Sequence, residues 1–365
     1  MNILFFVLGL ASLVLGAELL VRGASRLSLS LGISPLVVGL TVVAFGTSAP
    51  ELAVSVQSAM TDRADIALGN VIGSNIMNVL FILGASALIV PLVVANQIIR
   101  QEVPIMVGFS LLLLGLAYDG SISRLDGLLL TVLLLVYTVV IVRQSKRLLA
   151  AAAPSSAPEV DAGKSRDDHW TMQLLLVGAG LCLLVLGAHW LVEAAVAFAR
   201  HFGISELVIG LTIVAIGTSL PEVATSLMAA TRGERDIAVG NVVGSNIFNI
   251  AGVLGVAGLT APAGIPVHAS ILAFDLPVMI AVALACLPIF FTGNLIARWE
   301  GALFLGLYVA YLAYLVLAAQ KHDALTAYGG LLAGFVVPIV VVTLLAVSWR
   351  EWRARASARR QEDSD

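Results

Sequence analysis

A long segment of this chain occurs twice. Residues 39–52 read GLTVVAFGTSAPEL and residues 210–223 read GLTIVAIGTSLPEV, and GNVIGSNIMN at 69–78 is followed by GNVVGSNIFN at 240–249. Both pairs are 171 residues apart, and this offset holds without a gap from residue 13 to residue 84. Self-similarity over such a length indicates a fold built from two equivalent halves.

The composition places both halves in a membrane. Hydrophobic residues make up 59% of the 365 residues, charged residues only 12%, and the mean hydropathy is +1.01, whereas soluble domains carry about 25% charged residues. The chain is therefore predicted to be an all-α polytopic membrane protein in contact with lipid. The first apolar run lacks a basic leader and is too long for a signal peptide, so it is interpreted as a first transmembrane helix.

Windows of about 20 apolar residues predict the membrane spans. They fall into five spans, a break, five further spans and one more. The predicted spans are 2–21, 36–60, 66–94, 103–119, 125–143, 172–196, 207–230, 237–261, 269–292, 299–319 and 327–349. The resulting divisions are a first five-helix half (1–143), a cytoplasmic linker (144–171), a second half (172–319), and an extra helix with a basic tail (320–365).

The distribution of positive charge predicts the orientation. If the N-terminus lies outside, only four of the 20 Lys and Arg residues lie outside: Arg63, Arg124, Arg200 and Lys321. This bias predicts a cytoplasmic C-terminus. Because each repeat has an odd number of spans, the second must lie upside down relative to the first. An inverted repeat predicts a binding site near the bilayer midplane, between the halves.

One acidic residue occurs inside an apolar run of each repeat. Pro50 removes a backbone donor and leaves a carbonyl one turn earlier without a partner, and Glu51 is costly in a membrane unless it is paired, protonated or ion-bound. On a continuous helix, Ala44, Thr47 and Glu51 share one face. With the Ser48 hydroxyl they form a set of hard oxygen donors, which suits Ca²⁺ or Na⁺. The second repeat supplies the same set: Ala215, Thr218, Ser219 and Glu222.

The second repeated motif adds neutral oxygens. Its candidates are Ser74 and Asn78 in the first repeat and Ser245 and Asn249 in the second. Two carboxylates with neutral oxygens match the charge of one Ca²⁺ ion. The same atoms, divided among separate pockets, would hold several monovalent ions instead, and mutually exclusive occupancy is the physical basis of antiport.

These motifs resemble the alpha-repeats of the calcium/cation antiporter superfamily, and within it the prokaryotic sodium/calcium exchangers. The resemblance covers residues 1–319 and implies ten core helices and alternating access in a prokaryotic plasma membrane. It implies that Thr47, Glu51, Thr218 and Glu222 bind calcium. It further implies an outer sodium pocket and an inner one, with Asn78 and Asn249 between them. The outer pocket is Ala215, Thr218, Ser219, Glu222 and Ser245; the inner is Ala44, Thr47, Ser48, Glu51 and Ser74.

The sequence departs from some family members, which carry an acidic residue at one of the two middle positions; here both are Asn. Alternatives to Ca²⁺/Na⁺ exchange are a cation/proton exchanger and a potassium-dependent exchanger that use the same site. The sequence has no Walker motif and no nucleotide domain, so we expect no nucleotide or nucleic-acid partner, no prosthetic group and no enzymatic activity. The oligomeric state is not predicted.

Three further acids are weaker candidates. Glu18 corresponds to His189 in the second repeat, so it is outside the symmetric set, and helix packing and gating are both open for it. Glu102 and Asp275 each precede a proline by two residues near a helix start, which favours a helix N-terminal role. The resemblance implies that the helices carrying Glu18 and His189 slide between states.

Overall fold

The structure is a computed structural model. It describes residues 2–61, 63–152, 170–202, 215–320 and 324–332, with 334, 337, 338, 340–346, 349 and 353 beyond them. The predicted linker 144–171 and span 207–230 lie partly outside these residues, as does the eleventh span, 327–349. The described parts of the last are a short helix to Leu331 and helical residues 340–346.

The first half contains eight α-helices and two strands, interrupted by three wider π-helical turns. The helices are α1 (Asn2–Leu31), α2 (Pro35–Val38), α3 (Ala44–Thr47), α4 (Ala49–Ala59), α5 (Ala64–Met77), α6 (Gly84–Ile89), α7 (Val103–Ala117) and α8 (Arg124–Ala152). The strands are β1 (Leu92–Val93) and β2 (Ser121–Ile122), and the π turns are Gly39–Val43, Asn78–Leu83 and Ile98–Glu102.

The described part of the second half repeats this order. Its helices are α9 (Trp170–His201), α10 (Ala215–Gly217), α11 (Leu220–Thr231), α12 (Arg235–Phe248), α13 (Leu254–Thr260), α14 (Leu276–Phe291) and α15 (Arg298–Ala319). The strands are β3 (Ile265–Pro266) and β4 (Leu295–Ile296), the π turns are Asn249–Val253 and Ile271–Asp275, and α16 (Ala324–Leu331) follows.

The predicted all-α membrane fold is confirmed. Within the described ranges, eight helices are long and apolar enough to cross a membrane, and the bent pair Pro35–Thr47 and Ala49–Ala59 makes a ninth. The span that runs through α12 and α13 is 89% buried inside the protein, whereas the span of α15 is only 17% buried. The repeated motifs therefore lie on central helices, and the other spans separate them from lipid.

Two short antiparallel ribbons join the halves. Strand β1 pairs with β4, and β2 pairs with β3. Strands β1 and β2 flank the single spanning helix α7, so the two ribbons lie at opposite membrane faces, here named the β1–β4 face and the β2–β3 face. By position in the repeat β1 corresponds to β3 and β2 to β4. Equivalent segments thus lie on opposite faces, as an inverted repeat requires.

Glycines allow α1 and α9 to pack at very short range. A Cβ atom on Gly16 would lie 2.8 Å from the Gly180 carbonyl oxygen, and one on Gly187 would lie 2.8 Å from the carbonyl oxygen of Gly9. Contacts this short allow only glycine. The offset of 171 relates Gly9 to Gly180 and Gly16 to Gly187. Equivalent glycines of the two repeats therefore form the contact between α1 and α9. At these glycines the two helices meet without interlocking side chains.

Candidate ion-binding site

The helix that carries each glutamate is broken one turn before it. Ser48 has φ −81° and ψ 8°, and Ser219 has φ −88° and ψ 5°, so both leave the α-helical region at the same point of the repeat. Pro50 and Pro221 then occupy the first turn of α4 and α11, where a missing donor costs least. The first break bends the chain by 47°. The expectation of one continuous face through Ala44, Thr47 and Glu51 is wrong, because the proline starts a new helix.

The two breaks face each other and are joined by reciprocal hydrogen bonds. The Ser48 hydroxyl donates to Oε1 of Glu222 at 2.9 Å, and the Ser219 hydroxyl donates to Oε1 of Glu51 at 2.8 Å. Glu51 is 0% and Glu222 is 1% exposed. Each repeat therefore holds the carboxylate of the other, and the two acids meet in the interior of the protein.

The other oxygen of each carboxylate is buried and has no hydrogen-bond partner among the described residues. No described Lys, Arg or His forms an ion pair with either acid. A buried carboxylate without compensation costs several kcal/mol. In the described part of the chain no third His, Cys, Asp or Glu joins them to complete a metal cluster. A cation between the two acids would meet one free oxygen from each, and neutral oxygens would have to complete its coordination.

The neutral oxygens beside the acids differ between the repeats. In the first, the Ala44 carbonyl accepts from the Ser48 amide at 3.0 Å and from the Thr47 hydroxyl at 3.4 Å, and the Thr47 hydroxyl also lies 3.2 Å from the Asn241 amide oxygen. In the second, the Thr218 hydroxyl has no partner within the described ranges. The Thr47 hydroxyl is thus a donor within the protein, but it keeps the lone pairs of its oxygen, so the oxygens of both threonines are able to accept a ligand.

The backbone at the second break closes in a short turn. The Ser219 amide donates to the carbonyl of Ile216 at 3.2 Å. Ala215, a predicted ligand, directly precedes this acceptor at the start of α10.

Asparagine side chains form hydrogen bonds between the two repeats, next to the two glutamates. Asn78 donates to the side-chain oxygen of Asn246 at 3.0 Å, and Asn249 donates to that of Asn75 at 3.1 Å and to the Ser74 hydroxyl at 3.2 Å. With the amide nitrogens fixed in this way, Oδ1 of Asn78 and of Asn249 is left buried and unpartnered in the described structure. Both residues therefore present an oxygen for a ligand.

The two serines of the second motif behave differently. The Ser74 hydroxyl donates to the backbone carbonyl of Asn70 at 2.7 Å, while Oγ of Ser245 is buried with no described partner. Ser245 and Thr218 thus have no described hydrogen-bond partner, whereas the hydroxyls of Ser74 and Thr47 donate within the protein.

Four asparagines that support this site were not among the predicted ligands. Asn75 and Asn246 donate to each other's backbone carbonyls at 3.3 and 3.4 Å. Asn70 donates to Ser55 at 2.9 Å, and Asn241 donates to Ser226 at 2.9 Å. The signal was present, because all four lie within the repeated GNVxGSN motif. They orient the candidate ligands through hydrogen bonds.

The structure thus places the predicted site residues at the two facing helix breaks, in the last turn of α5 and of α12, and at the start of the π turns that follow these two helices. Their roles as ion ligands stay predictions. The set described above is Ala44, Thr47, Ser48, Glu51, Ser74, Asn78, Ala215, Thr218, Ser219, Glu222, Ser245 and Asn249.

Glu102 and Asp275 do not cap their helices. Neither side chain bonds to a helix N-terminal amide. Glu102 accepts from the Tyr137 hydroxyl at 2.7 Å, and Asp275 accepts from the Tyr311 hydroxyl at 3.1 Å. The reason is that each acid ends a π turn that continues into the α-helix, so the amides that a cap would satisfy are already bonded within the helix. The expectation of a helix N-terminal role is wrong.

Glu18 takes part in a group of polar contacts between α1 and the end of α11, on the side of the β1–β4 face. It pairs with Arg22 on its own helix, and it accepts from Arg232, just after α11, at 2.8 and 2.9 Å. Nearby, the Ser25 hydroxyl donates to Glu234 at 2.7 Å. These five residues, named here the α1–α11 clasp, hold the end of α1 against the end of α11.

Known proteins share this sequence and architecture. The chain is 41% identical over 315 residues to CaxA of Alkalimonas amylolytica, with 84% of this chain and 96% of the relative covered. It is 34% identical over 345 residues to the sodium/calcium exchanger MaX1 of Methanosarcina acetivorans, covering 86% and 98%. The solved structure of the sodium-calcium exchanger NCX_Mj superimposes with a TM-score of 0.73 at 32% identity, covering 86% of this chain and 98% of that one.

The fold and these relatives together define a multi-pass membrane antiporter. The family profile described as sodium/calcium exchanger protein matches residues 1–143 and 172–317, and the chain belongs to this family. The resemblance drawn from the repeated motifs is thereby confirmed.

Proposed function

We propose that this protein exchanges Ca²⁺ for Na⁺ across the membrane by alternating access, at a single central site built around Glu51 and Glu222. The observation that carries this proposal is the reciprocal serine–glutamate pairing, which fixes one oxygen of each buried carboxylate and leaves the other without a described partner. Two negative charges and uncharged oxygens match the requirements of one calcium ion.

The sodium sites are proposed to reuse the same atoms. The second repeat's pocket would take Na⁺ at Thr218, Glu222 and Ser245, with the Ala215 carbonyl and Ser219. The first repeat's pocket would use Glu51 with Ala44, Thr47, Ser48 and Ser74. Because each glutamate serves both ions, calcium and sodium exclude one another. The oxygens of Thr218 and Ser245, which are buried without a described partner, support the second pocket.

A second candidate is exchange of a cation for protons at the same acids. Two buried carboxylates are able to carry protons, and this alternative needs no other ligand. The neutral oxygens favour sodium, because protonated carboxyls have no need of Thr218, Ser245, Asn78 and Asn249 as unpartnered buried acceptors. A potassium-dependent exchange would use these oxygens as well.

We place the protein in a prokaryotic inner membrane, with its β1–β4 face in the cytoplasm. The positive charges support this orientation. Of the 20 Lys and Arg residues, all but four lie in the segments that the predicted topology places in the cytoplasm. Arg232, directly after α11, and Arg235, at the start of α12, are two examples.

Reconstituted vesicles test the function directly. Purified protein would be loaded with Na⁺ inside, diluted into Na⁺-free medium, and assayed for uptake of ⁴⁵Ca²⁺ with the proton gradient collapsed by an ionophore. We expect uptake that depends on the outward sodium gradient. Potassium would be replaced by choline in a parallel series to separate Na⁺ from Na⁺ plus K⁺ coupling.

The outcomes distinguish the candidates. Uptake driven only by a pH gradient would replace the proposal with cation/proton exchange, and uptake that requires K⁺ would replace it with potassium-dependent exchange. Calcium flux that needs no ion on the opposite side would indicate a channel and would contradict antiport altogether.

A further inference from the structure

Two buried hydroxyl groups that lack a described hydrogen-bond partner lie outside the central site. Thr225 is 0% exposed and Ser86 is 1% exposed, and neither hydroxyl has a hydrogen-bond partner in the described structure. Thr225 belongs to α11, which carries Glu222. Ser86 belongs to α6, which follows the π turn that begins at Asn78, and α6 packs against α11.

Several other helical hydroxyls in the described part of the chain bond to their own helix. Ser110, Thr131, Thr138 and Thr260 each donate to the carbonyl four residues earlier, at 2.8 to 3.0 Å. Such bonds are the usual way for a helical Ser or Thr to satisfy its hydroxyl in a nonpolar environment. A buried hydroxyl left without a partner costs about 1–3 kcal/mol. The hydroxyls of Thr225 and Ser86 are therefore available to a water molecule or an ion.

The two hydroxyls lie between the central site and the β1–β4 face. Thr225 is one turn beyond Glu222 on a helix that ends at that face, a distance of about 4.5 Å along the axis. Ser86 is eight residues beyond Asn78 on a helix that ends at the same face, about 12 Å along the axis. Unsatisfied oxygens thus continue from the centre toward one side of the membrane.

The other side has no such oxygens at the equivalent positions. The offset of 171 relates Thr225 to Val54 and Ser86 to Ala257. Val54 and Ala257 lie on α4 and α13, which run from the centre toward the β2–β3 face. The hydroxyls are therefore not a consequence of the repeated fold, and they make the two routes chemically different.

We propose that Thr225 and Ser86 bind Na⁺ on its way between the central site and the β1–β4 face. This inference rests on the proposed function. Hydroxyl oxygens are hard ligands, and because they carry no charge they suit a monovalent cation better than Ca²⁺. Weak neutral ligands also allow release, since an ion that passes through must not be held tightly.

The experiment compares the two membrane faces. Thr225→Val, which keeps the shape and removes the hydroxyl, and Ser86→Ala would be reconstituted singly and together. Half-saturating Na⁺ and Ca²⁺ concentrations would then be measured at each face, in vesicles whose wrongly oriented molecules are blocked. We expect the half-saturating Na⁺ concentration at the β1–β4 face to rise about 3- to 10-fold in the double variant, with Ca²⁺ values and the opposite face unchanged.

Two matched variants separate a ligand from a packing contact. Thr225→Ser keeps the hydroxyl and should behave like wild type, while Val54→Thr alters the equivalent residue of the other route and should leave sodium affinity at the β1–β4 face unchanged. Equal losses in Thr225→Ser and Thr225→Val, equal shifts at both faces, or a shift for Ca²⁺ alone would overturn the proposal. Unchanged sodium affinity in the folded double variant would overturn it too.

The wild-type protein in the same vesicles keeps this test independent of the proposed function. If wild type shows no sodium-driven calcium uptake, the proposed exchange fails and the sodium step fails with it. If wild type shows this uptake and the variants match it at both faces, only the role of Thr225 and Ser86 is refuted.

Discussion

The centre of this protein is nearly symmetric, whereas its two faces are not. Ser48 and Ser219 exchange equivalent hydrogen bonds with the two glutamates. At the β1–β4 face, α1 packs along α11 and the clasp joins their ends. At the β2–β3 face, α9 makes no comparable contact with α4 among the described residues.

The difference is carried by a few substituted positions. Glu18 and Arg22 of the clasp correspond to His189 and Glu193, which lie 3.9 Å apart on one exposed stretch of α9 and form no described ion pair with another helix. The structure therefore has its β1–β4 side more tightly closed. The duplicated centre thus holds its two glutamates in the same way, and the two sides of the molecule differ in the contacts around that centre.

The largest expected effect tests the symmetric centre. Glu51→Gln and Glu222→Gln each remove one negative charge but keep an oxygen that can accept the serine hydrogen bond. We expect each to reduce ⁴⁵Ca²⁺ uptake by at least about 100-fold, equivalent to about 2.7 kcal/mol. The stabilisation of the purified protein against heat by Ca²⁺ should be lost in both.

Comparable losses in the two variants would support equal roles for the acids. A variant that retained full transport would remove that glutamate from the ligand set, and a loss without any change in calcium-dependent thermal stability would place its role in ion movement rather than in binding.

The sequence predicted this centre well because the relevant signals were local and duplicated. Gly-Thr-Ser-x-Pro-Glu at one offset identified both glutamates, and an odd number of spans per repeat predicted the inversion. The position of the break was not predicted. Pro50 indicates a weakened helix, but it does not show that α3 ends before Ser48 and that a new helix, α4, begins at Ala49.

Long-range partners were beyond the sequence. The bonds of Asn75 with Asn246 and of Glu18 with Arg232 join residues far apart in the chain, and nothing in local periodicity states which polar residues will meet. Glu102 was misinterpreted for the same reason, because its partner Tyr137 is on another helix. The π turns also escaped prediction, since they change the register by a single residue.

A second prediction concerns the contact of α1 with α9. In Gly180→Ala the added methyl carbon would lie 2.7 Å from the Leu20 amide nitrogen and 2.8 Å from the Gly16 carbonyl oxygen. Backbone atoms cannot yield as a side chain can, so the two helices must separate, at a cost of about 1–3 kcal/mol. We expect a lower melting temperature in detergent and about a tenfold loss of transport.

Gly178→Ala is the matched control on the same helix, because nothing lies within 4 Å of its added carbon. It should keep full transport and slightly stabilise α9, by less than about 1 kcal/mol. Similar damage in both variants would show that helix propensity, and not the close approach to α1, accounts for the loss.

The smallest effect tests the inequality of the faces. Arg232→Gln removes the ion pair that links α1 to the end of α11. The Arg232 side chain is 53% exposed, and such partly exposed ion pairs contribute about 0.2–1 kcal/mol to stability. Loss of this energy should shift the population toward the state open at the β1–β4 face by about 2- to 5-fold. Because apparent affinity scales with the fraction of competent molecules, sodium should bind more tightly at that face and more weakly at the other.

Glu193→Gln removes the corresponding charge from α9 and should change neither affinity, since its only described ion-pair partner, His189, is on the same helix. If Arg232→Gln altered both faces in the same direction, the clasp would support folding and not the balance between states. Glu193→Gln could instead shift the population toward the state open at the β2–β3 face, by as much as Arg232→Gln shifts it the other way. That result would show that polar contacts control both faces equally, and that the difference between the faces is a feature of this one conformation.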